Sequence, residues 1–156
     1  MDKQRKTELA EIARRVRVGI IEAVYSAQSG HPGGSLSIAD VLTYLYFEEM
    51  NVDPAKQNDP ERDRFVLSKG HCAPGLYSVL AQRGYIPVED LKTFRKTDSY
   101  LQGHPDRKHT PGVEMTSGSL GQGVSVEVQK QSNLCPGGFR SGVYVLFFHP
   151  SASSVK

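Results

Sequence analysis

Cysteine is almost absent from this chain: only Cys72 and Cys135 stand among 156 residues. One pair cannot staple a disulfide scaffold, and such usage suits a reducing compartment. Excess charge of either sign is also missing. Nineteen Lys and Arg face seventeen Asp and Glu, leaving a formal charge of +2, too little for the footprint of a nucleic-acid binder. The longest strongly apolar run, Val143 to Phe148, falls far below the ~20 residues of a membrane span. The start, Met1-Asp2-Lys3-Gln4-Arg5-Lys6, lacks the apolar segment of a secretory leader. No supersecondary unit repeats. The expectation is one cytoplasmic globular domain with neither a nucleic-acid nor a membrane partner, at 38% hydrophobic and 23% charged residues.

Leu9, Ile12, Ala13, Val16, Ile20, Ala23, Val24 and Ala27 recur at helical spacing and predict a helix from about Thr7 to Gln28. Arg14, Arg15 and Arg17 form its solvated side. Ser29-Gly30-His31-Pro32-Gly33-Gly34-Ser35 then breaks it. Ser37, with Asp40 three residues on, reads as an N-terminal cap. The helix it opens turns Ile38, Val41, Leu42, Leu45 and Tyr46 inward and ends near Met50. Asn51 to Arg64 reads as a polar surface connection.

Phe65-Val66-Leu67 suits a buried strand and leads straight into Ser68-Lys69-Gly70-His71. In open α/β sheets, ligands bind at that carboxyl edge. A helix carrying Leu76, Tyr77, Val79 and Leu80 should stop at Gly84. Pro87 and Glu89-Asp90 open a shorter one holding Leu91 and Phe94. Tyr100 to Thr116 is irregular. Gly118-Ser119-Leu120-Gly121-Gln122-Gly123 makes a second glycine-rich turn ahead of a helix. Past Val128 the helical period is lost, and Val143 to Phe148 is the only strand-like run.

Three histidines directly follow glycine: Gly30-His31, Gly70-His71 and Gly103-His104. Random placement of these residue types would give about half of one such pair, so the repetition needs a reason. Glycine lets the backbone approach a ligand, and the adjacent imidazole donates to an anion or carries a proton. Three histidines also serve catalytic zinc, although no two here have the His-x₃-His spacing of a helical metal site. His109 and His149 have no such context and read as surface residues. The run from Gly118 to Gly123 is neither a dinucleotide fingerprint nor a Walker loop. It offers backbone donors and acceptors to a flat heterocycle or an anion.

Taken in order, Ser29 to Gly33, Asp63 to His71, Gly103-His104-Pro105 and Thr116 to Gly123 resemble the amino-terminal part of transketolases. The resemblance covers roughly Leu9 to Val126. Gly33-Gly34-Ser35-Leu36-Ser37 is similar to split transketolases, whose amino-terminal subunit is a separate polypeptide. It implies an α/β thiamine-diphosphate-binding fold, a parallel sheet flanked by helices, with residues 1–126 as the diphosphate-binding region. Residues 127–156 would be a divergent, poorly ordered tail, leaving the fold incomplete at its C-terminal end. The implied activity moves a two-carbon ketol unit from a ketose phosphate to an aldose phosphate. In that reading His31 and His104 are catalytic: His31 lies near the thiazolium, and His104 contacts the hydroxyls of the ketose. His71 binds the diphosphate of thiamine diphosphate, and Gly118, Ser119 and Leu120 meet its aminopyrimidine. The implied partner is a C-terminal, pyrimidine-binding transketolase subunit, in a homo- or hetero-oligomer. The alternative is an inactive truncated copy or a non-catalytic interaction module of the same fold.

One family feature is missing. Transketolases continue with a Gly-Asp-Gly motif and a later Asn that hold Mg²⁺ on the diphosphate, as oxygen ligands should. This sequence contains no Asp-Gly pair, and beyond Asp106 its only acids are Glu114 and Glu127. No metal ligand is identified, the departure begins near Glu127, and weak cofactor binding is expected.

Overall fold

Helix α1 (Lys3–Ala27) begins four residues before its apolar stripe announces it, because a carboxylate and not a hydrophobe sets the start. Asp2 accepts a hydrogen bond from the Arg5 backbone N–H at 2.7 Å, meeting a donor the first turn leaves unpaired. The helix ends at Gln28 in the left-handed conformation. The computed structural model describes residues 1–123 and 125, and the backbone of 143–146.

Leu9, Ala13, Val16, Ile20 and Ala23 of α1 are buried as the stripe requires. They face helix α4 (Ala73–Arg83), which Gly84 closes at φ 93°. The two helices touch closely at Gly19, where a Cβ would stand 2.3 Å from Ser78 Oγ. Ser78 Oγ in turn donates to the Val16 carbonyl at 2.7 Å. Val16 and Ile20 are fully buried, each contributing roughly 1.5–3 kcal/mol of transfer free energy. A 3₁₀ segment, Val88–Thr93, packs Leu91 against the same core, with Phe94 following it.

The second helical region departs from its expected form. It is split into α2 (Pro32–Leu36), α3 (Ala39–Tyr44) and a π-helical turn over Leu45–Glu49. Ser37 does not cap α3. It closes α2, and its hydroxyl donates to the Gly34 carbonyl at 2.9 Å. Ile38 holds the cap position of α3 without any side-chain bond. Asp40 pairs instead with Arg17 of α1, so Arg17 is not merely solvated. The later start turns Val41 outward, at 45% exposure, while Ile38, Leu42 and Tyr46 stay buried.

The connection from Asn51 to Arg64 is polar but pinned. Asp63 is 7% exposed, and its carboxylate accepts from the Asn51 N–H at 2.8 Å. Strand β1 (Arg64–Leu67) follows as expected. It pairs in parallel with β2 (Val143–Leu146), in register Phe65 with Tyr144 and Val66 with Val145. Apart from β2, the expected tail of 127–156, with Cys135 and His149, lies outside the described residues.

Candidate active site

The carboxyl end of β1 organises four loops. Ser68, immediately after the strand, accepts the Gly121 N–H on its carbonyl at 3.2 Å. Its hydroxyl accepts the Gly123 N–H at 3.1 Å. The second glycine-rich turn is thereby tied to the strand end. Lys69, only 3% exposed, reaches the other way, donating to the Gly34 carbonyl at 2.9 Å and lying 3.3 Å from Ser37 Oγ. A buried ammonium needs such partners, and here they anchor the first glycine-rich turn.

His71 sits half-buried in the 3₁₀ turn Gly70–Cys72. His31 stands before α2, exposed, and meets His71 edge to face with ring centroids 5.3 Å apart. Gly34, beside His71, leaves no room for a side chain: a Cβ would lie 2.6 Å from Cys72 Sγ and 3.7 Å from His71 Nε2. The His71 pKa is lowered, first by burial and then by His31, Lys69 and His104. These surroundings favour the neutral ring, which donates from one nitrogen and accepts at the other. Burial also pushes the Cys72 thiol pKa up.

His104 lies in an exposed loop whose backbone is held from below. The fully buried Tyr77 of α4 shares its hydroxyl hydrogen between the Gln102 carbonyl at 2.9 Å and the His104 carbonyl at 3.1 Å. From the other side the Ser117 N–H donates to the Pro105 carbonyl at 3.2 Å. Gly118 is adjacent, since a Cβ there would approach the His104 ring at 3.9 Å. Arg95 joins the outer loops. Its guanidinium donates to Ser29 Oγ at 2.6 Å and lies 2.8 Å from where a Gly103 Cβ would be.

The structure thus gathers His31, His71, His104 and Gly118 around one strand end. Ser119 and Leu120 occupy the exposed tip of the turn, Leu120 at 57% exposure. Among the described residues two hydroxyls are buried without partners, Ser35 Oγ and Ser117 Oγ, one beside each glycine-rich turn. Ser117 also lies against Gly70, whose absent Cβ would stand 2.8 Å from Ser117 Oγ. The sequence does not single out Lys69, Ser117, Tyr77 or Arg95. Lys69 and Ser117 lie within the quoted motifs, whereas Tyr77 reads as core and Arg95 belongs to no motif. His109 is exposed and paired with Asp106 at 2.7 Å, a surface residue as expected. Among the described residues no three histidine, cysteine or acidic side chains come together to hold a metal.

An α/β protein with glycine-flanked imidazoles at the carboxyl end of a parallel strand is the class these features define. The chain belongs to the transketolase family through its thiamine diphosphate-binding domain: residues 8–133 match the model for "Transketolase, thiamine diphosphate binding domain". It is 46% identical over 125 residues to the 6-deoxy-6-sulfo-D-fructose transketolase subunit SqwG of Clostridium sp., covering 80% of this chain and 46% of that one. It is 43% identical over 142 residues to an apulose-4-phosphate transketolase subunit of Actinobacillus succinogenes, covering 89% and 51%. Transketolase from Leishmania mexicana superposes with a TM-score of 0.72 at 38% identity, over 75% of this chain and 18% of that one. The chain therefore spans about half the length of the subunit-type relatives. No helix among the described residues is long and apolar enough to cross a membrane.

Proposed function

We propose that this chain is the amino-terminal, cofactor-binding part of a split transketolase of the cytoplasm, working with a C-terminal pyrimidine-binding subunit. The complex would transfer a two-carbon ketol unit from a ketose phosphate to an aldose phosphate. The observation that carries the proposal is the convergence of His31, His71, His104 and Gly118 on the end of β1.

The described residues suit thiamine diphosphate. The Gly118 backbone stands against the His104 ring and Gly121 opens onto free space, and Ser117 Oγ is a buried polar atom with no partner among the described residues. Gly118, Ser119 and Leu120 would take the aminopyrimidine, and His71 with neighbouring backbone N–H groups the diphosphate. When bound, thiamine diphosphate supplies the electron sink for the transferred fragment. His31 would exchange protons at the donor hydroxyls, and His104 would orient the ketose by hydrogen bonding; imidazoles suit repeated transfers near neutrality. Magnesium fits poorly, because the sequence has no Asp-Gly pair. That same observation favours a second reading, a non-catalytic module that docks a transketolase partner.

Co-expression with a transketolase C-terminal subunit tests both. Ketol transfer in the purified complex, lost in His31→Ala and His104→Ala, is the expected result. A stable complex with no transfer would leave only the docking module, and no complex would refute both readings. Calorimetric titration with thiamine diphosphate and Mg²⁺ should show affinity weaker than micromolar.

A further inference from the structure

The histidines occupy one end of β1, and a second feature occupies the other. Around Arg64, where the strand begins, lies a cleft of about 510 Å³, within the roughly 300–1,000 Å³ typical of small-molecule sites. Its walls include Arg62, Arg64, Arg107, Lys108, Tyr85 and Glu114. Four cations thus face one carboxylate, in a chain whose formal charge is only +2.

Glu114 is already spent on the first two cations, reaching Arg62 Nη1 at 2.5 Å and Arg64 Nη1 at 3.1 Å. Arg62 is locked further by donating to the Gln57 carbonyl at 2.5 Å and the Asp63 carbonyl at 3.1 Å. Arg107 and Lys108 form no ion pair with any described residue. Asp106, next to Arg107 in the chain, is committed elsewhere. It accepts from the Lys108 backbone N–H at 2.9 Å, meets His109 at 2.7 Å and accepts from Thr116 Oγ1 at 3.0 Å. Those contacts hold its pKa down to about 2, so it stays ionised and occupied.

The loop carrying the two free cations is braced. The Arg107 N–H donates to Thr116 Oγ1 at 3.1 Å, and buried Thr110 donates to the Tyr100 carbonyl at 2.8 Å. Gly112, at φ 79°, lies flat on Tyr85 and Leu80, where a Cβ would approach within 2.7 Å. Two unneutralised cations on a pinned loop, opposite a fixed Arg-Glu-Arg triad, make a preorganised receptor for a compact dianion. We propose that this cleft binds the phosphate group of a small molecule, either a phosphomonoester or free inorganic phosphate. The inference rests on the cleft alone and stands whether or not the transketolase reading does.

The test titrates the full chain with inorganic phosphate and, separately, with glycerol 3-phosphate, at constant ionic strength set by chloride. Backbone amide NMR shifts locate the site. Saturable shifts centred on Arg107, Lys108 and Glu114 are expected, with the tighter of the two probes identifying the ester or the free ion. Arg107→Gln/Lys108→Gln, at exposed positions, should keep the wild-type thermal midpoint and weaken binding about tenfold or more, a loss of about 1.4 kcal/mol. Shifts centred on His71 and Gly118 would overturn the proposal. So would a non-saturating titration, or equal affinity in the double variant.

Discussion

His31 and His71, far apart in the chain, stand edge to face with ring centroids 5.3 Å apart. Burial disfavours a charge on the His71 ring, and the neighbouring imidazole adds to this. The lowered pKa of His71 follows, with burial the largest cause and His31 the next.

The pH dependence has a definite sign. A histidine whose folded pKa lies below its ordinary 6.5 binds fewer protons folded than unfolded. Its contribution to stability is therefore complete above pH 6.5 and is lost as pH falls through the folded value. The thermal midpoint of the wild type should drop from pH 7 to pH 5 by more than that of His71→Gln. NMR titration of the His71 ring supplies the direct check; a midpoint at or above 6.5 would contradict the assignment.

Gly34→Ala should destabilise the chain. Its new methyl would lie 2.6 Å from Cys72 Sγ, a contact that forces backbone or side chain to move, at about 1–3 kcal/mol. Removing the sulfur should relieve it, so Gly34→Ala/Cys72→Ala should lose less than the sum of the two single variants in urea unfolding. Strict additivity would place the strain elsewhere.

At Gly19 two effects oppose each other. Alanine gains about 1 kcal/mol of helix propensity over glycine. A Cβ there would stand 2.3 Å from Ser78 Oγ and 2.8 Å from Leu91 Cδ1, and overpacking costs about 1–3 kcal/mol. The crossing of α1 and α4 lies in the core, so the clash should win. Gly19→Ala is expected to unfold at lower urea, and a stabilised variant would show that the helices can separate freely.

Tyr77→Phe removes only the hydroxyl that supports Gln102 and His104. The stability cost should be about 1 kcal/mol. Amide exchange should accelerate across the Gly103-His104-Pro105 loop while α1 stays protected. Uniform acceleration across the fold would instead mark Tyr77 as a core residue only.

Much of the fold is legible because local rules and tertiary demands agree. The stripe from Leu9 to Ala27 reads as a helix because one face must meet α4, and Gly84 closes α4 because the left-handed position suits it. Phe65 to Leu67 reads as a strand because it is buried on both sides. The departures arise where partners distant in sequence decide the outcome. Ser37 looks like a cap, yet the Gly34 carbonyl and Lys69 claim its hydroxyl. Asp63 looks solvated, yet Asn51 folds back onto its carboxylate.

Sequence alone determined which chemistry is on hand: the glycine-histidine pairs, the two glycine-rich turns and the transketolase-like order of motifs. Glycine and histidine carry their conformational freedom and titration wherever they stand. Only the tertiary structure decided that Lys69 holds the first turn, that Ser68 holds the second and that Tyr77 supports His104. It also decided that Arg62 and Arg64 share Glu114 while Arg107 and Lys108 face them across a cleft. Each of these relates residues far apart in the chain, and spacing along a sequence carries no record of such distances.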